Sequence, residues 1–199
     1  MIKSGLSNVL FSKVRQRVLA LLYGQPDRSF HTNEIIRLTN SGTGAVQREL
    51  AALSSAEIIT VESIGNQKHY AANRMSPLFS ELRAIVLKTF GLGDVLRQEL
   101  APAVSQIHIA FIYGSIAKQE DTVNSDIDLM LISDTLTYAD LFKLLENAQA
   151  QLGRQISPTF YSQDEWKRKL KTGNNFVSQT IKQPKIFLIG SEDELTKLR

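Results

Sequence analysis

Apolar residues recur at helical spacing through the first half of the chain and gather into strand-like runs in the second. Phe11, Val14, Val18, Leu19, Leu21 and Leu22 fall mainly on one face of a helix that ends near Tyr23-Gly24. Gln25-Pro26-Asp27 breaks it. Thr32 is placed to cap a second short helix containing Ile35, Ile36 and Leu38, and Asn40-Ser41-Gly42 reads as a turn. A third helix, Thr43 to Ala56, has Val46, Leu50 and Leu53 on its buried side. Ile58 to Ile64 and His69 to Ala72, separated by Gly65-Asn66-Gln67-Lys68, predict a β-hairpin. Pro77 opens a longer helix whose apolar stripe is Leu78, Leu82, Ile85, Val86 and Phe90.

Helical periodicity stops at Gly91-Leu92-Gly93, the expected boundary between a domain of residues 1–91 and one of residues 92–199. Beyond it, Ile107–Tyr113 and Ile127–Ser133 are strand-like, Leu141–Leu152 is an amphipathic helix, and Gln155–Tyr161 is a third strand. Ser162 and Glu165 form a capping box that opens a basic helix through Trp166 and Leu170. Lys185–Ile189 is a last short strand, and Ser191–Arg199 a final helical turn or two. The expected class is α+β, with the second domain a small α/β unit on a mixed sheet.

Composition narrows the function classes. A chain of 199 residues that is 43% hydrophobic can bury a core. The absence of cysteine excludes disulfides, thiolate-bound zinc and a cysteine nucleophile. No apolar run is long enough to span a membrane, and the N-terminus lacks an apolar signal core, so the expectation is a cytoplasmic protein without a membrane partner. Residues 1–100 carry 12 Lys/Arg against 8 Asp/Glu, whereas residues 101–199 carry 11 against 12. The basic excess therefore sits with the helices and the hairpin, where it is compatible with nucleic acid.

Helix, helix, tight turn, helix, hairpin is the order of a winged helix-turn-helix. Thr43, Gln47 and Arg48 lie opposite the apolar side of the third helix, where they could meet base edges or phosphates, and Lys68 and His69 at the hairpin could reach a neighbouring backbone. The segment TNSGTGAVQRELAALSSAEIITVESIGNQKHYAAN resembles the winged-helix transcriptional regulators of bacteria and archaea. That resemblance implies double-stranded DNA as partner, and two-fold operator symmetry points to a homodimer.

The sharper motif is FIYGSIAKQEDTVNSDIDLMLIS, residues 111–133. Asp126 and Asp128 are two apart in a strand, so both carboxylates project to one side. Such a pair repels itself unless a cation lies between, and Mg²⁺ suits oxygen ligands together with substrate phosphates. A Gly114-Ser115 turn at a helix start can approach the same phosphates. The stretch resembles the nucleotidyltransferase superfamily that includes DNA polymerase β, specifically its minimal bacterial and archaeal members. The resemblance implies that Gly114 and Ser115 hold a nucleoside triphosphate, and that Asp126 and Asp128 are the catalytic carboxylates holding Mg²⁺. Active members usually add a third carboxylate on a later strand. Here that place falls at or near Ser157, and no acid occurs between Glu146 and Asp164. The expectation is nucleotide binding with catalysis weakened or lost.

Three functions fit these features. The leading one is a DNA-binding, regulator-like protein whose nucleotidyltransferase-type domain binds a nucleoside triphosphate and Mg²⁺. The second is an active enzyme that transfers a nucleoside monophosphate to a protein or small-molecule hydroxyl, with the winged helix as docking module. The third is an antitoxin-like interaction protein. Outside the motifs, His31, His69 and His108 read as capping, hairpin or core residues, and Glu120 and Asp121 as solvent-exposed. The basic run around Lys167-Arg168-Lys169 reads as a solvated helix face, and Phe160, Tyr161, Trp166 and Phe176 as core or interface.

Overall fold

The computed structural model describes residues 6–122 and 124–198, so the start of the segment read for a signal core, Val123 of the acidic motif and the last residue lie outside it. The backbone divides into two compact units between Leu92 and Gly93.

The first unit contains α1 (Leu6–Leu10), α2 (Lys13–Gly24), β1 (Phe30–His31), α3 (Thr32–Thr39), α4 (Thr43–Ser55), β2 (Ile59–Ile64), β3 (Gln67–Ala72) and α5 (Phe79–Thr89). Ser12 caps α2 by accepting from the Arg15 amide, which leaves Phe11 outside the helix that its apolar spacing suggested. His31, rather than Thr32, caps α3: its Nδ1 accepts from the Glu34 amide. The reason is tertiary, because pairing of β1 with β3 holds His31 in extended backbone one residue before the helix begins. Asn40 takes the left-handed conformation at the end of α3, where Arg17 donates to the Thr39 and Asn40 carbonyls and fixes the turn into α4.

The strands order β1-β3-β2, all antiparallel. Ile64 pairs with Gln67, so the hairpin loop is only Gly65-Asn66, and Gln67 and Lys68 belong to the strand rather than the turn. Gly65 has φ +59, the positive value that a two-residue hairpin demands at its first position and that glycine meets without strain. Val18, Leu19, Leu22 and Tyr23 of α2, Phe30, Ile35, Val46, Leu50 and Val86 close one core.

The second unit runs α6 (Leu92–Leu100), a 3-10 turn (Ala101–Gln106), β4 (Ile109–Ile112), α7 (Gly114–Lys118), β5 (Ile127–Ile132), α8 (Tyr138–Leu152), β6 (Ile156–Tyr161), α9 (Gln163–Lys171), α10 (Asn175–Lys182), β7 (Ile186–Ile189) and α11 (Glu192–Lys197). Its sheet orders β6-β5-β4-β7, with β4 antiparallel to both neighbours and β5 parallel to β6. The sheet is therefore mixed, and α8 makes the crossover that parallel strands require. β6 lies at the sheet edge, which is where Pro158 is tolerated. On one face Ile109, Phe111, Tyr113, Met130 and Ile132 pack with Trp166, Val177 and Leu195 of the helices after β6. Ala110, Ile112, Leu129 and Leu131 point the other way and are equally buried. The Ser162–Glu165 capping box forms at α9 with both of its hydrogen bonds. Phe176, expected in the core or at an interface, is 42% exposed and meets Tyr113 edge-on. No helix among the described residues is long and apolar enough to cross a membrane.

Candidate active site

The two halves of the acidic motif meet because β4 and β5 are antiparallel neighbours. Ile112 pairs with Leu129, and the Tyr113 amide donates to the Asp128 carbonyl at 3.0 Å. The end of β4 therefore lies beside the start of β5, and the chain must turn at once into α7. Gly114 makes that turn at φ +71. A Cβ there would stand 2.1 Å from Oδ2 of Asp128, inside any permissible contact. Glycine is thus required twice, by the backbone and by the carboxylate that fills the space a side chain would need. The first turn of α7 has no side-chain cap, so its leading amides are not satisfied by a capping side chain. Ser115 is half-buried within that turn.

Asp126 is exposed just before β5, Ile127 is fully buried, and Asp128 is half-buried within the strand. Strand alternation puts both carboxylates on one face. Burial, and secondarily the charge of Asp126, push the Asp128 carboxyl above the ordinary aspartate range. The parallel pairing of β5 with β6 sets Ser157 directly across from Asp128, and the Ser157 hydroxyl donates to Oδ2 of Asp126 at 3.2 Å. Two residues on, Thr159 bonds the Tyr113 hydroxyl at 2.9 Å and locks that ring against the strand ends.

The donor set is two carboxylates and one hydroxyl, and no group of three His, Cys, Asp or Glu side chains able to hold a metal occurs among the described residues. Two aspartates with a glycine turn closed against one of them fit a hard divalent cation that completes its shell with phosphate oxygens and water. The raised Asp128 carboxyl has a consequence for stability. Where the folded state holds a proton that the unfolded state has released, stability falls as pH rises through the carboxylate range. Without metal, Asp128→Asn should therefore unfold at higher denaturant than wild type at pH 7, with the gap closing on acidification. Urea titrations of both proteins from pH 4 to pH 7 check this; a gap that widens toward acid would contradict it.

Asp121 was expected at the surface and is instead buried. Its side chain is fully inaccessible and pairs at 2.9 Å with Arg154, which is itself 6% exposed. Glu120, its neighbour, is exposed as expected. Nothing in the sequence marked Arg154, because its partner lies 33 positions earlier and only the sheet pairing brings the two segments together. In the first unit, Thr43, Gln47 and Arg48 are exposed on α4 while Val46, Leu50 and Leu53 are buried, and Lys68 is exposed on β3. His31 caps a helix, His69 lies in β3, and His108 is surface-exposed, bonded to Asp134 and Gln163.

Residues 97–191 match the family model of polymerase beta nucleotidyltransferases, and this stretch is a nucleotidyltransferase-type domain. No curated protein matches the chain. Solved structures to which the chain is similar include the following two. One is a toxin–antitoxin with AMP-PNP, 17% identical, covering 53% of this chain and 79% of its own at a TM-score of 0.41. The other is a mutant of the toxin–antitoxin MntA–HpeT, 14% identical over the same shares, also with a TM-score of 0.41.

Proposed function

We propose that the second unit binds a nucleoside triphosphate together with Mg²⁺, with Gly114 and Ser115 at the phosphates and Asp126 and Asp128 at the metal. The interlock of Gly114 with the Asp128 carboxylate carries this reading. It sets a close-approach backbone turn and a like-charged pair against one another, an arrangement that costs stability unless a cation and an anionic ligand are bound together. Mg²⁺ held there would screen the negative charge of the phosphates and of a leaving pyrophosphate. Asp128 stands closest to the turn, and Asp126 is steadied by the Ser157 hydroxyl. Ser157 occupies the place opposite Asp128 where a third carboxylate would add charge and a proton acceptor. A serine supplies neither, so binding outlasts efficient transfer in this chain.

Calorimetry with ATP, GTP, CTP and UTP, with and without Mg²⁺, tests the site. Asp126→Asn together with Asp128→Asn should abolish Mg²⁺-dependent binding, and Ser157→Asp should raise metal affinity. Undiminished Mg²⁺-dependent binding by the double variant would remove the assignment. Incubation with labelled nucleotides and cell extract decides the catalytic question. Efficient labelling of an acceptor by wild type, lost on Asp126→Asn, would make transfer rather than regulation the function.

The first unit supports a second reading, that of a winged helix-turn-helix docked on duplex DNA. The order α2, α3, α4 followed by the β2–β3 hairpin, with the turn before α4 pinned by Arg17, leaves Thr43, Gln47 and Arg48 exposed along one helix. The whole protein would then be regulator-like, a DNA-binding unit joined to a nucleotide-binding one. If Arg48 reads a base edge, Arg48→Ala should weaken specific binding by about 1–3 kcal/mol, and affinity should fall steeply with salt. A gel-shift series over salt, using the protein's own promoter region, measures both. No shift of any duplex at low salt would end this reading.

A further inference from the structure

We infer that Arg154 is a positioning residue of this site, holding Asp126 in place through the backbone of the loop that precedes it. The inference rests on the nucleotide and Mg²⁺ reading and adds a residue that the motif does not contain. Arg154 follows Gly153, which ends α8 in the left-handed conformation, and its side chain turns inward to 6% exposure. There it meets the segment between α7 and β5 at several atoms. Nε donates to the Ser125 carbonyl at 2.9 Å, and Nη2 donates to the same oxygen and to the Thr122 carbonyl at 3.3 Å. Nη1 donates to Oδ2 of the buried Asp121 at 2.9 Å.

Two of the residues it grips are also bonded to each other. The Ser125 amide donates to the Thr122 carbonyl, and the Thr122 amide donates to the Ser125 hydroxyl. A planar guanidinium with five donors can bridge such divergent acceptors at once, which a lysine ammonium on its single nitrogen cannot. The Ser125 carbonyl is one peptide bond from Asp126. Holding it fixes the direction in which Asp126 leaves the loop, while Ile127 is tied on the other side by the hydrogen bond its amide donates to the Gln155 carbonyl. Arg154 and Gln155 are consecutive, so one short stretch before β6 anchors the backbone on both sides of Asp126. The same stretch leads into Ser157, whose hydroxyl meets the Asp126 carboxylate. Asp121, which sits between the two halves of the motif, is therefore a counter-ion for this brace and not a ligand.

The experiment is calorimetric titration of ATP into the full chain at a series of Mg²⁺ concentrations, for wild type and Arg154→Lys. Circular dichroism and urea midpoints are recorded on the same metal-free samples. The lysine keeps a cation for Asp121 but cannot also span the Ser125 and Thr122 carbonyls. The Mg²⁺ concentration that half-saturates binding should rise by about 10- to 100-fold, the range typical when a group supporting a metal ligand is lost. Should Arg154→Lys fail to fold, Asp121→Asn combined with Arg154→Gln leaves no buried charge, and the same rise is expected. A purely structural role would lower the urea midpoint while leaving the Mg²⁺ requirement of the folded protein unchanged, and that result would overturn the inference alone. If wild type binds no ATP at any Mg²⁺ concentration, the nucleotide and Mg²⁺ reading is overturned and this inference with it.

Discussion

Gly114→Ala should abolish Mg²⁺-dependent nucleotide binding and destabilise the second unit even without ligand. Two costs add. An L-residue at φ +71 pays about 1–2 kcal/mol for the left-handed backbone alone. The new methyl would also sit 2.1 Å from Oδ2 of Asp128, so the carboxylate must leave its position. The backbone cannot yield instead, because the Tyr113 amide and the Asp128 carbonyl are hydrogen-bonded beside the turn. The two costs are separable. In an Asp128→Ala background the methyl meets no carboxylate, and Gly114→Ala should then cost only the backbone share. A double-mutant cycle by urea unfolding measures the difference, and calorimetry with ATP and Mg²⁺ measures the binding. Equal costs in the two backgrounds would show that the interlock does not constrain the turn.

Breaking the Asp121–Arg154 pair from one side should have the largest effect on stability of any charge substitution in the second unit. Both side chains are out of water, so Asp121→Ala leaves a buried guanidinium without its counter-ion, a defect that costs about 3–5 kcal/mol. Asp121→Asn with Arg154→Gln removes both charges, so it should cost less than Asp121→Ala. Surface ion pairs in the same chain provide the comparison. His108 and Asp134, each more than 40% exposed, should be worth no more than about 1 kcal/mol. Chemical denaturation of Asp121→Ala, of the double variant and of His108→Ala gives the ranking. A loss on Asp121→Ala of under about 0.5 kcal/mol, the size of an ordinary surface substitution, would mean that water reaches the pair.

The element types and their order were legible in the sequence wherever one period dominated. The apolar run Ile127–Ile132, the capping box at Ser162–Glu165 and the apolar stripe of α4 are local patterns, and local sterics and burial suffice to decide them. Where two local signals competed, neighbouring structure chose. Gly91-Leu92-Gly93 read as a boundary, and the helices do part at Phe90-Gly91, but α6 already begins at Leu92 and carries Gly93 inside it, with Leu96 and Leu100 fully buried. Thr32 is the better capping residue by type, yet the β1–β3 pairing placed His31 at the helix start. α10, in a stretch with little apolar periodicity, was not foreseen; it is held by the Asn174 cap and the burial of Val177.

The candidate site divides along the same line. Gly114, Ser115, Asp126 and Asp128 stand within one 15-residue stretch, so the sequence alone determined which residue types lie together and that the carboxylates share a face. The resemblance to nucleotidyltransferases, and not the spacing, implied Ser157 as the place where a third acid would be looked for. Only the tertiary structure decided that Ser157 pairs with Asp128 and bonds Asp126, because strand register is settled between segments some 30 residues apart. The same is true of Asp121. Its burial depends on Arg154 arriving from the far end of α8, and a charged side chain can leave water only when its partner is already in place.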